Sequence, residues 1–186
     1  VCEEFHMYLF VDGARLGYGL MASDCDITPE FLAAHCDVFY AGGTKMGALF
    51  GEAVVITNKT LYQDFRYMIK RHGGMLAKGR LLGIQFQTLF EDGLYWKLGK
   101  HADQLAEQIR NTLQECGFSF LARSHTNQVF PILPDDLCEK LSRKYMYCYQ
   151  ERIDNSHSAI RFCTSWATRP ENVDALCQDI RSLSAK

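Results

Sequence analysis

Three residues stand where a purely structural chain would not need them: Asp12, Lys45 and Arg161. Asp12 directly follows the apolar run Met7–Val11 and precedes Gly13-Ala14-Arg15. A carboxylate at the carboxyl end of a buried strand is where α/β sheets bind ligands. Taken alone, an aspartate that caps a helix or closes a turn is the commoner reading. Lys45 follows a second apolar run, Val38–Ala41, inside Gly42-Gly43-Thr44-Lys45-Met46-Gly47-Ala48. Small neighbours let a planar group approach the backbone. A lysine desolvated there becomes a Schiff-base nucleophile. A phosphate-binding or merely exposed loop lysine is an equal alternative, although the Walker A spacing is absent. Arg161 sits in a strand-like segment, where a surface ion pair would also explain it. Its planar fork suits bidentate binding of a carboxylate.

The elements around these residues decide whether they can meet. Met7–Val11 reads as a strand buried on both faces, as in a parallel sheet. Thr28-Pro29-Glu30 opens a helix running to about Cys36, with Thr as N-cap and Pro in the first turn. Val38–Ala41 and Ala53–Thr57 are two further strands. The long stretch with a helix between the first two strands predicts a crossover joining parallel neighbours. The short link to the third predicts an antiparallel partner. Residues 59–70 and 81–90 read as helices, separated by His72-Gly73-Gly74. Leu98, Ala102, Leu105, Ala106, Ile109 and Leu113 lie on one face of a long helix that ends at Gly117.

Beyond Gly117, strand-like runs at 118–122, 128–133, 145–149 and 159–163 are interleaved with a helix over 135–144. Thr168-Arg169-Pro170-Glu171 predicts a capping box for the last helix. The fold class expected is α/β. Residues 1–92 would form part of a large, mostly parallel ligand-binding domain. Residues 93–186 would supply a long linking helix and a small α+β domain.

Strand–Asp, crossover helix, strand–Lys puts both groups on one edge of one sheet. Pyridoxal phosphate needs that pair. A lysine holds its aldehyde as an imine, and a carboxylate keeps its ring nitrogen protonated so the ring can accept a carbanion's electrons.

Asp12-Gly13-Ala14-Arg15 resembles the DGAR signature of threonine aldolases, a branch of the fold type I pyridoxal-phosphate enzymes. Gly42–Ala53 resembles the lysine segment of that family in its GGTK form. Ile160-Arg161-Phe162-Cys163-Thr164-Ser165-Trp166 is similar to its late arginine segment. The resemblance implies that Lys45 carries the cofactor and Asp12 pairs with the pyridine nitrogen. It implies that Arg15 lies beside the phenolic oxygen or the substrate carboxylate, that Thr44 helps hold the cofactor, and that Arg161 binds the carboxylate. The implied reaction is cleavage of threonine, allo-threonine or another β-hydroxy-α-amino acid to glycine and an aldehyde. The implied assembly is a homo-oligomer in the cytoplasm or a matrix, serving threonine catabolism and glycine supply. In the family the ring-stacking His and the phosphate cup precede DGAR, so this chain reads as the C-terminal half. Lys78 or Arg80 stands where relatives carry an Arg that reaches a neighbouring subunit's cofactor. Rival readings are another pyridoxal-phosphate lyase that acts by β-elimination, and a non-catalytic chain that binds a partner subunit.

Composition excludes little but points the same way. The 186 residues carry a formal net charge of -2, with no basic field for nucleic acid. No apolar run approaches the roughly 20 residues that span a bilayer. Eight cysteines without a CxxC pair read as buried free thiols in a reducing compartment. The histidines show no metal-ligand spacing; His125, near Asn127, is a secondary candidate for the site.

Overall fold

The computed structural model describes residues 1–184, which divide into two compact units. Unit 1 comprises residues 1–20 and 25–97; unit 2 comprises residues 21–24 and 98 onward.

Unit 1 is built on a three-stranded sheet of order β1-β2-β3, with β1 Phe10–Val11, β2 Val38–Gly42 and β3 Glu52–Ile56. The strands β1 and β2 pair in parallel, as the crossover predicts, with Phe10 opposite Val38 and Val11 opposite Phe39. The pairing of β2 with β3 is antiparallel, also as expected from the short link. Helices α1 (Leu16–Met21) and α2 (Pro29–His35) lie between β1 and β2. The Oγ1 of Thr28 accepts the Phe31 N–H at 3.2 Å, so Thr28 is the N-cap. α1 was not expected: Gly17 and Gly19 fall within its six residues and mask its periodicity.

The first strand departs from expectation. Only Phe10 and Val11 are paired, and Phe10 remains 58% exposed. β1 is an edge strand here, so the burial on both faces expected of a central parallel strand is not supplied. The helix expected over 59–70 is also broken. A 3₁₀ turn over Lys59–Leu61 is separated from α3 (Phe65–Arg71) by Asp64, whose φ of 59° lies in the left-handed region. Helix α4 (Arg80–Phe90) follows.

The long helix α5, Leu94–Glu115, gives its first residues to unit 1 and the rest to unit 2. Gly117, with φ 83°, follows its end as a left-handed terminator. Unit 2 folds a four-stranded antiparallel sheet of order β4-β5-β7-β6 with α6 and α7. Its strands are β4 (Phe120–Ala122), β5 (Gln128–Pro134), β6 (Cys148–Arg152) and β7 (His157–Cys163). Helices α6 (Asp135–Ser142) and α7 (Pro170–Ser184) complete it. The strict alternation of burial along β5 matches a strand with one face on the core. Leu105, Ile109 and Leu113 of α5 join Val129, Leu133, Ile160, Phe162, Leu176 and Ile180 in one apolar cluster.

Three smaller expectations fail for physical reasons. Tyr145 and Tyr147 precede β6 rather than opening it. Their hydroxyls donate to Asp179 at 2.6 Å and to the Cys138 carbonyl at 2.9 Å, while their rings pack on the core. The Thr168 hydroxyl accepts the Ser165 N–H at 2.8 Å, so it closes the preceding turn instead of a capping box. All eight cysteines are free, but only Cys36, Cys138 and Cys177 are buried; Cys148 and Cys163 are exposed. Among the described residues no helix is long and apolar enough to cross a membrane, and no cluster of His, Cys, Asp or Glu could hold a metal.

Candidate active site

Continuing the parallel register one step beyond Val11–Phe39 sets Asp12 opposite Tyr40. There the Tyr40 hydroxyl donates to Asp12 Oδ1, and the Ala14 N–H donates to the same oxygen at 3.0 Å. These two bonds, aided by the positive charges of Lys45 and Arg15, hold the Asp12 carboxyl below the usual carboxylate range. Asp12 is thus a fixed anion at the carboxyl edge of the sheet. The same bond raises the Tyr40 phenol, because its proton is shared with an anion. Tyr40 was legible only as a strand residue. Its signal was parity: it alternates with buried Phe39 and so faces the other side of the sheet.

Lys45 lies in a 3₁₀ turn, Thr44–Met46, at the carboxyl end of β2, the strand that neighbours β1. Two buried tyrosines fix the backbone on either side of it. Tyr18 of α1 donates to the Lys45 carbonyl, and Tyr95 of α5 donates to the Gly42 carbonyl at 3.0 Å. Burial pushes the Tyr95 phenol far up, so it stays a donor. Glu52 accepts the Gly43 N–H at 2.8 Å, and Gln85 accepts the Leu49 N–H at 2.7 Å. The turn itself is closed by the Met46 and Ala48 N–H groups on the Gly43 carbonyl, at 2.9 and 3.0 Å. Met46 is wholly buried and anchors the segment, whereas Thr44 and Lys45 are exposed. None of Tyr18, Tyr95, Glu52 and Gln85 was singled out from the sequence, since their role exists only through long-range contact.

Three glycines near the site make close backbone approaches. A Cβ on Gly13 would fall 1.5 Å from the Tyr40 carbonyl oxygen, one on Gly42 would lie 2.6 Å from the Ala14 oxygen, and one on Gly43 would lie 2.7 Å from the Gly51 oxygen. They let strand ends and turns touch backbone to backbone. Lys45, Leu49 and Phe50 are all exposed. Arg15, on the turn after Asp12, is exposed as well. Lys78 and Arg80 are exposed at the start of α4.

Unit 1 therefore brings together Asp12, Arg15, Thr44 and Lys45. Arg161 belongs to unit 2. It lies on β7 opposite Cys148 of β6, between buried Ile160 and Phe162. Its Nε is buried without a hydrogen-bond partner among the described residues. A half-buried guanidinium with an unsatisfied donor can take up an added carboxylate. Behind it, Thr164 ties the end of the strand down, its hydroxyl donating to the Ala102 carbonyl at 2.7 Å. His125 is occupied by Ser23, with Nδ1 and Oγ 3.4 Å apart, and by Arg123, whose Nε donates to Nε2 at 3.2 Å.

No family model matches the chain. It is 31% identical over 183 residues to a low specificity L-threonine aldolase from a Pseudomonas species, covering 98% of this chain and 52% of that protein. A solved threonine aldolase from Leishmania major matches with a TM-score of 0.96 and 38% identity, over 99% of this chain and 54% of the other. Serine palmitoyltransferase from Sphingomonas wittichii matches with a TM-score of 0.66 at 12% identity, over 97% of this chain and 48% of the other, a likeness of fold alone. The chain spans about half the length of the relatives it matches. Along that whole span it resembles the threonine aldolases and has the fold of the type I pyridoxal-phosphate enzymes.

Proposed function

We propose that this chain carries part of the active site of a pyridoxal-phosphate-dependent carbon–carbon lyase. The substrates would be threonine, allo-threonine and other β-hydroxy-α-amino acids, and the products glycine and an aldehyde. One observation carries the reading: a carboxylate held ionised by Tyr40 and the Ala14 N–H ends one strand, and a primary amine on a tethered turn ends its parallel neighbour. The similarity to named threonine aldolases supports the choice of reaction.

The donor set fits pyridoxal phosphate. When bound, that group supplies an electron sink for the carbanion left as the substrate's Cα–Cβ bond breaks. The Lys45 amine would hold the cofactor's aldehyde carbon. Asp12 would accept the pyridinium N–H and keep the proton on the ring nitrogen, a task that needs the lowered carboxyl already present. The Arg15 guanidinium would lie beside the phenolic oxygen or the substrate carboxylate. The Thr44 hydroxyl would steady the cofactor. Arg161 would grip the substrate carboxylate with its half-buried guanidinium. We extend the proposal to a homo-oligomer. Leu49, 84% exposed beside the lysine turn, supports a covering chain there. A place in threonine breakdown and glycine supply follows from the reaction.

The test is a visible spectrum after pyridoxal phosphate is added, then borohydride reduction and peptide mapping. An absorbing adduct mapped to Lys45 and lost in Lys45→Ala is expected, and label spread over other lysines refutes the assignment. Glycine release from threonine, measured with the remainder of a full-length aldolase supplied, tests the reaction itself.

A further inference from the structure

Unit 2 contains a polar site that the proposed reaction does not use. Asp103, on α5, is 5% exposed, and neither of its carboxylate oxygens has a hydrogen-bond partner among the described residues. It is among the residues that line a cavity of about 270 Å³, with Ser23, Lys100, Gln104, Glu107 and His125. A buried acid with both oxygens bare is costly, and native structures seldom leave one so.

The neighbouring Ser23–His125–Asp24 grouping invites comparison with a nucleophile and its base, but its bonding excludes that. A guanidinium N–H can only donate, so His125 Nε2 is the acceptor from Arg123 Nε at 3.2 Å. The ring proton then sits on Nδ1 and points to Ser23 Oγ at 3.4 Å. In that arrangement His125 has no free lone pair with which to deprotonate the serine.

We propose that the Asp103 cavity is a binding site for an organic cation bearing a guanidinium or primary ammonium group, whose N–H donors satisfy the two bare carboxylate oxygens. Glu107, one turn along the same helix face and also lining the cavity, adds a second negative charge. Asp24 contributes a third from the segment that precedes α2; its Oδ2 lies 3.8 Å from His125 Nε2. The facing positive charges are Lys100, exposed on the cavity wall, and Arg110, which is buried and donates to the Thr126 carbonyl at 3.5 Å. Arg123, hydrogen-bonded to His125 at 3.2 Å, is a third, so the charges around the cavity balance and the choice of ligand rests on the two unpartnered Asp103 oxygens. Ser23 Oγ keeps a lone pair as a further acceptor. The cationic group can belong to a free amine or guanidine, or to a lysine or arginine side chain of a polypeptide.

Burial pushes the empty Asp103 carboxyl up to about 8, with Arg110 opposing the shift. At neutral pH the acid is then largely protonated, and a cation must displace that proton to bind. Affinity should therefore rise about tenfold per pH unit below 8.

The experiment is calorimetric titration of this chain with methylguanidinium chloride at pH 6 and pH 8, in buffers of different ionisation heat. Tetramethylammonium, which has no N–H, is the control. Saturable binding is expected, at least tenfold tighter at pH 8, releasing close to one proton at pH 6 and absent for tetramethylammonium. Asp103→Asn keeps the side-chain shape and should lose at least tenfold in affinity at pH 8. Glu107→Gln, which leaves the buried carboxylate in place, should lose a few-fold. An arginine tripeptide with blocked ends separates the sources: tenfold tighter binding than methylguanidinium assigns the site to a polypeptide side chain, and weaker binding to a free small cation. No saturable binding of either probe at pH 8, or unchanged binding in Asp103→Asn, overturns the proposal and leaves the cavity to water.

Discussion

Gly13→Ala tests the strand junction that holds Asp12. The added methyl would sit 1.5 Å from the Tyr40 carbonyl oxygen and 2.8 Å from its carbon, both backbone atoms. An ordinary carbon–oxygen contact is about 3.3 Å, so the backbones must part by more than 1.5 Å. No side-chain rotation relieves this. Parting them also breaks the bond from the Gly42 N–H to the Gly13 carbonyl, 2.9 Å long, worth about 1 kcal/mol. Overpacking against a backbone adds about 3 kcal/mol or more. A total near 4 kcal/mol is expected from urea unfolding, followed by Trp96 fluorescence in a Trp166→Phe background. Gly19→Ala is the matched control: its Cβ would meet nothing within 4 Å and it lies inside α1, so it should be neutral or gain up to about 1 kcal/mol. If Gly13→Ala unfolds within about 0.5 kcal/mol of the parent, β1 and β2 are not in the close contact described, and the placement of Asp12 falls with it.

Two further outcomes are expected. Tyr95→Phe strips the Gly42 carbonyl of its buried donor and should cost about 1–3 kcal/mol. Hydrogen exchange over residues 42–49 should quicken, while Tyr67→Phe, 73% exposed, should leave exchange there unchanged. Asp103 gives the fold a pH dependence of defined sign. Its carboxyl is raised to about 8 in the folded chain from an ordinary 3.8, so the folded state holds a proton that the unfolded state has lost between those values. The contribution of Asp103 to stability is greatest below about pH 4 and falls as pH rises to 8. The ceiling is about 1.4 kcal/mol per unit. Urea midpoints at pH 5 and 7.5 should diverge less in Asp103→Asn than in the parent; parallel curves would show that Asp103 does not titrate in this range.

The sequence disclosed the parts of the fold governed by local rules. Thr28 caps its helix, Gly117 ends α5, and the spacing of the first three strands dictates one parallel and one antiparallel pairing. It disclosed Asp12, Lys45 and Arg161 because each is a polar group set against an apolar run. Residues that act through distant partners stayed hidden. Tyr18 and Tyr95 lie 27 and 53 positions from the carbonyls they hold, and no periodicity announces that. Asp103 escaped notice for another reason. It sits one position from Ala102 on an amphipathic helix, where an acid reads as the solvated flank; only tertiary packing brings Met21, Ser23 and His125 to the cavity it lines.

The contact at Gly13 also acts as an error check on chain alignment. β1 offers only two paired residues, too few to define a register by pairing alone. The gap above the Tyr40 carbonyl admits a residue without a Cβ, and the flanking positions, Asp12 and Ala14, both have one. A chain misaligned by a single residue in either direction therefore presses a side chain into that oxygen and cannot close. At the amino end the Leu9 N–H on Asp37 Oδ2, at 2.7 Å, pins the same alignment independently. Correct threading of this short strand and delivery of the carboxylate to Tyr40 are thus a single event: a molecule that has closed the junction has already built that half of its site.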